Sequence, residues 1–279
     1  MALTEVFRNP SIRRVRGALL LGCLLAPLAA RADDSLLEAL FIEVEAGPLK
    51  VFRNELGFGA GGTRYSAEDI NQDEPLFNTK RASVEARLGE RHGVVLLYAP
   101  LPITTRATLT KDILFKDTLF PAGTPVEHTY SFSGYRASYV YRLINGERFQ
   151  WDVGVSLQIR TALVELRSQD GGLYARDADI GPVPALKTRL TWWPSKRLWA
   201  ALEVDGLVNP TDPSGGALYD AALTLGVPLD DDAAVSPYLR LRFYGGGVDN
   251  TDSDSPIYNF ANLGFALLGV RADVVELLD

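Results

Sequence analysis

One cysteine, Cys23, and one methionine, Met1, occur among the 279 residues. Both lie in the first 32 residues, which carry Arg8, Arg13, Arg14 and Arg16, then an apolar run from Gly17 to Leu28, then Ala30-Arg31-Ala32. That order is a secretory signal with a small-residue cleavage site, so residues 1–32 are expected to be removed and the mature chain to begin near Asp33. Leu20-Leu21-Gly22-Cys23 has the outline of a lipoprotein box, but apolar residues continue past Cys23 where a lipidated chain turns polar, which favours ordinary secretion. Without cysteine, an exported chain has neither disulfides nor thiolate chemistry.

Other scarcities narrow the function. After residue 32 no stretch holds 18 consecutive apolar residues, which excludes a membrane-spanning helix. Excess positive charge is lacking too: the formal charge is −7, and removing a leader with five basic residues and one acidic residue takes it to −11. An acidic chain is a poor partner for nucleic acid. Only two histidines are present, His92 and His128, which leaves few options for imidazole catalysis. Gly59 to Gly62 is glycine-rich, but no helix follows it to cradle a phosphate.

What the chain does have is alternation. In Phe149 to Leu163, the residues Phe149, Trp151, Val153, Val155, Leu157 and Ile159 alternate with Gln150, Asp152, Gly154, Ser156, Gln158 and Arg160. This is a period-two strand with one apolar and one polar face, longer than most soluble strands and long enough for the roughly 9–11 tilted residues that cross a bilayer. The same pattern places Glu43 and Glu45 opposite Ile42, Val44 and Ala46 in Phe41 to Phe52, and Glu85 and Arg87 opposite Ala82, Val84, Ala86 and Leu88. A third segment, His92 to Leu101, is apolar throughout.

In the fourth, His128 to Leu143, Tyr130 and Phe132 share one parity and Tyr135, Tyr139 and Tyr141 the other, so a bulge at Ser133-Gly134 is expected to bring them to one face. Arg136 and Arg142 then point the opposite way. Six weaker or repeated segments complete the series, placing Asp152, Arg160, Lys187, Arg189, Glu203, Asp205, Asp220, Arg240 and Arg242 on polar faces; the last runs from Tyr258 to Val274.

Connections alternate in length. Those at Gly89, Asn145-Gly146, Pro194 and Asp231 are short, whereas those starting near Asn54, Thr108, Ser168, Asn209 and Gly245 are mostly longer. Thr108 to Glu127, with Ile113, Phe115 and Phe120, reads as a strand extension or a small hairpin. Trp151, Trp192, Trp193 and Trp199 all lie near short turns, where an interfacial aromatic girdle belongs. Only helices and closed barrels satisfy the backbone in lipid. The fold expected is therefore all-β: a closed antiparallel up-and-down transmembrane β-barrel of about ten strands over residues 33–279, with eight or twelve as alternatives.

With its leader, ten amphipathic segments, tryptophans near the short turns and the tyrosines of RASYVYRL, the chain over residues 40 to 274 resembles small proteobacterial outer-membrane β-barrels of the porin or OmpA-like type. It departs from them at its end, VVELLD, where such proteins usually carry a terminal aromatic. The resemblance implies outer-membrane lipid, lipopolysaccharide and the barrel-insertion machinery as partners, and no cofactor. The polar faces then become a lumen in which charges of both signs pair, plugged or narrowly permeable.

Because some proteins of this class are hydrolases, His128, with Thr129 and Ser131 beside it in sequence, is the catalytic alternative. Asp249, Asp252 and Asp254, or Glu68, Asp69, Asp73 and Glu74, are the acidic groups that could gather around Ca²⁺, although their spacing matches no calcium loop. A soluble lipocalin-like carrier is a third reading, and it requires the apolar faces to point inward.

Overall fold

The computed structural model describes residues 36–208, 216–230, 232–251 and 256–278. The leader and its cleavage site lie outside the described residues, as do Asp252 and Asp254. The strands are β1 (Leu37–Phe58), β2 (Tyr65–Ser66), β3 (Leu76–Leu88), β4 (His92–Ala99), β5 (Pro102–Thr108), β6 (Ile113–Phe115), β7 (Thr118–Phe120), β8 (Pro125–Asn145), β9 (Phe149–Ser168), β10 (Tyr174–Ser195), β11 (Leu198–Val208), β12 (Ala217–Gly226), β13 (Val235–Asp249) and β14 (Ile257–Asp273). Ten of them, β1, β3, β4 and β8 to β14, pair in sequence order, and β14 returns to β1 (Val44 opposite Val270), closing an antiparallel barrel. Closure pairs each of the ten strands with two neighbours at the level of the apolar belt, which is what lipid demands.

The apolar faces point outward. Val155, Leu157, Leu202, Leu223, Leu241 and Tyr135 are all exposed, and Leu186 and Leu268 are 69% and 71% exposed. That excludes the soluble-carrier reading, whose core would be the same residues turned in. Short turns and both ends of the barrel chain share one rim.

Several strands run about twice the length of a bilayer crossing: β1 and β10 have 22 residues, β8 has 21 and β9 has 20. The extra length rises above the membrane on the long-loop side, and Asn54 to Phe58 and Tyr174 to Ala185, read from sequence as loop or left unassigned, belong to it. Along β9 the even-numbered side chains face inward throughout, but their chemistry changes: Asp152, Ser156 and Gln158 are buried low in the barrel, and Val164 and Leu166 are buried high in it. The outward residues invert in step, from Val155, Leu157 and Ile159 to Thr161, Glu165 and Arg167.

The same inversion removes the expected bulge at Ser133-Gly134. The β8–β9 register runs unbroken from Val126↔Ser168 through Gly134↔Arg160, and its one shift lies between Arg142 and Ile144. Tyr130 and Phe132 differ in parity from Tyr135 because they face the interior, where the wall stands in water and its inside is the apolar side.

Loops fill that upper interior. Residues 109–124 form the β6–β7 hairpin, and β5 extends the wall beside β8, so both readings of this connection hold. Ile113, Phe115 and Phe120 are fully buried against Phe58, Tyr65 and Ile70, with Phe58 and Phe115 stacked at 4.6 Å. At the hairpin tip Lys116 takes a positive φ of 51° and sits on Gly59, where a Cβ would meet the Lys116 Cα at 2.8 Å. Glycine is the residue that position admits.

Candidate functional site

In the lower barrel, nine basic side chains (Arg81, Arg87, Arg136, Arg142, Lys187, Arg189, Arg240, Arg242, Arg271) and seven acidic ones (Glu43, Glu45, Glu85, Asp152, Glu203, Asp205, Asp220) form two networks of ion pairs. They come from every barrel strand but β4, whose inward Gly93, Val95 and Leu97 give the guanidinium groups room. A Cβ on Gly93 would meet the Arg87 Nη1 at 3.2 Å.

The larger group centres on Asp152. Its carboxylate accepts from Arg87 Nη2 at 2.6 Å, Arg189 Nη2 at 2.8 Å and Arg142 Nε at 3.0 Å. Arg189 also makes a bidentate pair with Glu85, both contacts 2.7 Å. Lys187 bridges Glu203 and Asp205 at 3.0 and 2.9 Å, and Arg136 bridges Asp205 and Asp220 at 3.2 and 2.9 Å. Arg242 donates to Asp220 through Nε at 2.6 Å, and its guanidinium lies over the rings of Tyr244 and Phe265, joining the charged storey to the apolar one above.

In the second group Arg240 holds Glu43 at 3.2 Å and Glu45 at 2.6 Å, Arg81 pairs with Glu45, and Tyr238 donates to Glu45 at 2.9 Å. Fork-like guanidinium pairs of this kind are the geometry in which buried charge is tolerated at all, because each ion keeps its hydrogen bonds.

All fifteen charged residues singled out from sequence face the interior. Arg160 stands apart from the rest: it rises above the lattice and, among the described residues, pairs with the half-exposed Asp179. Sequence reasoning missed Arg81, Arg271 and Tyr238. Arg81 and Arg271 had the right parity but sat at the margins of their segments.

Free space in this storey is small. A cavity of about 50 Å³ lies among Glu43, Glu85, Arg189 and Arg240, and another of about 30 Å³ lies below Tyr244 and Phe132. Each has room for a few waters.

Two of the four tryptophans depart from the girdle. Trp151 and the 55%-exposed Trp192 face outward near the short turns, and Trp151 Nε1 donates to Thr188 at 2.9 Å. Trp199 is 2% exposed and faces inward, packed on Trp193 and Tyr238 in a small aromatic cluster at the short-turn rim. Parity is the reason: Trp199 shares its face with Glu203 and Asp205. Gly226 across from it makes the space, since a Cβ there would lie 2.2 Å from the indole.

His128 is fully buried in the upper storey, where the Gln72 amide donates to its Nδ1 at 3.0 Å and the Tyr65 hydroxyl lies 3.4 Å from Nε2. Gln72 in turn accepts from Asn54 at 2.7 Å. Thr129 and Ser131 are on the opposite face of β8, paired with the outside world: Thr129 contacts the exposed Thr104. No serine or carboxylate among the described residues contacts His128, so the nucleophile–base geometry of a hydrolase is not assembled. Burial lowers the imidazole pKa to about 3 and keeps it neutral. Among the described residues no cluster of three metal-ligating side chains occurs. Asp69 is instead held by the Ser66 N–H at 2.8 Å and by Lys111 at 2.9 Å.

No protein-family profile matches the chain, and no curated protein sequence matches it. Among solved structures it is similar to the outer membrane protease OmpT from Escherichia coli, with a TM-score of 0.50 at 10% identity over 85% of this chain and 97% of that one. The fold is that of a bacterial outer-membrane β-barrel. Lower similarity extends to the attachment invasion locus protein Ail of Yersinia pestis (TM-score 0.37, 9% identity, 84% and 98% covered) and to Neisserial surface protein A (0.29, 10%, 84% and 96%). At such identities the likeness is one of fold. A barrel of this fold sets its apolar belt in the lipid of the outer membrane.

Proposed function

We propose that this protein is a non-conducting outer-membrane barrel: a sealed membrane anchor that carries a folded extracellular platform, formed by the upper strands with residues 59–75 and 109–124. The observation that supports it is the lumen. Cross-barrel pairs such as Arg189–Glu85 and Arg136–Asp220 span the interior at successive heights, and cavities of about 50 and 30 Å³ lie between them. A hydrated ion passing this stretch must displace guanidinium groups from buried carboxylates, whose separation leaves charge unpaired. The platform supports a structural or adhesive role, and the lipid and lipopolysaccharide around the belt are its first partners.

Planar-bilayer recording of the purified barrel tests this. The expected trace is flat in concentrated potassium chloride, and the double variant Arg87→Ala/Arg189→Ala introduces current by clearing the centre of the lattice. Steady single-channel steps from the unaltered protein overturn the reading.

A further inference from the structure

The ions of the lower barrel do not balance. Among the described residues the nine basic groups face seven acidic ones, and each network carries one cation in excess: six against five around Asp152, and Arg81, Arg240 and Arg271 against Glu43 and Glu45 in the other. Asp273, the next acid along β14, turns instead to the backbone N–H groups of Leu40 and Val275. The excess cannot be shed by losing protons, because every basic group but Lys187 is an arginine and a guanidinium keeps its charge in proteins. A charge held away from water needs a partner.

The excess also has a location. The cavity of about 50 Å³ lies between the two networks, and its walls carry six cations, Arg81, Arg136, Lys187, Arg189, Arg240 and Arg271, against four carboxylates. Four of these cations are matched, since Arg136, Lys187, Arg189 and Arg240 each hold two carboxylates or more.

Arg81 and Arg271 are not matched. Arg81 is buried and reaches one carboxylate, Glu45, which Arg240 and Tyr238 also hold, and its Nε has no partner. Arg271 stands opposite Glu43 in the pairing of β1 with β14, yet Glu43 lies nearer Arg240 and stays 3.8 Å from Arg271, whose buried Nε also lacks a partner. The Arg271 guanidinium lies 3.7 Å over the Phe41 ring. Stacking engages its flat face and leaves the N–H edge free.

We propose that this cavity binds one small monovalent anion of the halide kind, held by the free N–H groups of Arg81 and Arg271 and lowering the charge excess between the two networks. Size selects the class: about 10–15 Å³ of such space admits a water, so about 50 Å³ admits an atomic ion with a water or two and excludes an organic anion. The four carboxylates on the same walls disfavour a doubly charged ion. A current in the bilayer recording bears on the seal and not on this site.

The test uses bromide and chloride. The full barrel is refolded in sodium bromide, crystallised, and measured at the bromine absorption edge. In parallel, the temperature at which heat-modifiable migration is lost is followed in nonionic detergent as sodium chloride replaces sodium gluconate at constant ionic strength. The expected results are one anomalous peak inside the barrel beside Arg81 and Arg271, and a midpoint that climbs with the logarithm of chloride concentration, as binding to the folded state alone requires. Ser83→Asp puts a carboxylate on the wall of the same cavity, and Arg271→Gln removes an unmatched cation. Each is expected to abolish the peak and to weaken apparent chloride binding about tenfold, whereas Leu225→Phe, exposed on the belt, keeps both. A cavity holding only water in the unaltered protein, or a chloride dependence undiminished in both cavity variants, overturns the proposal.

Discussion

The lower and upper halves of this barrel are built from the same strands with the same inward parity, and their chemistry is opposite. Low on β9 the inside is Asp152, Ser156 and Gln158 and the outside is Val155 and Leu157; high on β9 the inside is Val164 and Leu166 and the outside is Glu165 and Arg167. Solvent explains the inversion. Where lipid surrounds the wall, apolar groups gain nothing by turning in and polar groups must be hidden; where water surrounds it, the hydrophobic effect works in its usual direction. The lower half is therefore held by mutually dependent ions and the upper half by packing.

That contrast can be broken from the lower side with the greatest effect. Asp152→Ala strands Arg142 and takes one of two carboxylate partners from Arg87 and Arg189, which keep Glu85, and losing a buried partner costs about 3–5 kcal/mol. A marked drop in the temperature at which the barrel loses its heat-modifiable gel migration is expected; an unchanged temperature counts against a lattice of dependent ions.

In the upper half Phe115→Ala removes the ring stacked on Phe58, a loss of about 3–5 kcal/mol at a well-packed site. Its effect is expected to stay local, with rapid proteolysis within residues 109–124 while heat-modifiable migration holds. Cleavage no faster than in the unaltered protein argues that the hairpin is held by something other than its core.

Acid sharpens the comparison at smaller cost. His128 stays neutral in the folded upper storey down to about pH 3, while an unfolded histidine takes a proton near 6.5. The folded-state pKa is the lower of the two, so the full stability is present above about pH 6.5, and about 1.4 kcal/mol is lost per unit as pH falls toward 3. Hydrogen exchange of the 59–75 and 109–124 loops between pH 7 and 5 measures this; His128→Leu should flatten the dependence. The smallest effect belongs to the outer wall: Arg106→Ala breaks an exposed pair with Glu127 and should change stability by less than about 1 kcal/mol in urea unfolding.

Much of the lower half was legible in the residues. Period-two patterning located the strands, and parity alone turned Glu85, Asp152, Arg189 and Asp220 inward, because one face of each crossing segment must be apolar. The upper half was read less well, since assigning every aromatic to the lipid face assumes a single environment along the strand. Tyr130 and Phe132 showed the failure, and the bulge invented at Ser133-Gly134 was its consequence. Trp199 failed for a related reason: nearness to a turn says nothing about which side of the wall a ring occupies.

Sequence by itself determined a closed, antiparallel barrel of about ten strands, because alternation and loop lengths are local properties of the chain. Which charge meets which was decided only by closure, since Arg189 and Glu85 are 104 residues apart and Arg240 and Glu43 are 197 apart. The tertiary structure also set the height at which each strand exchanges lipid for water.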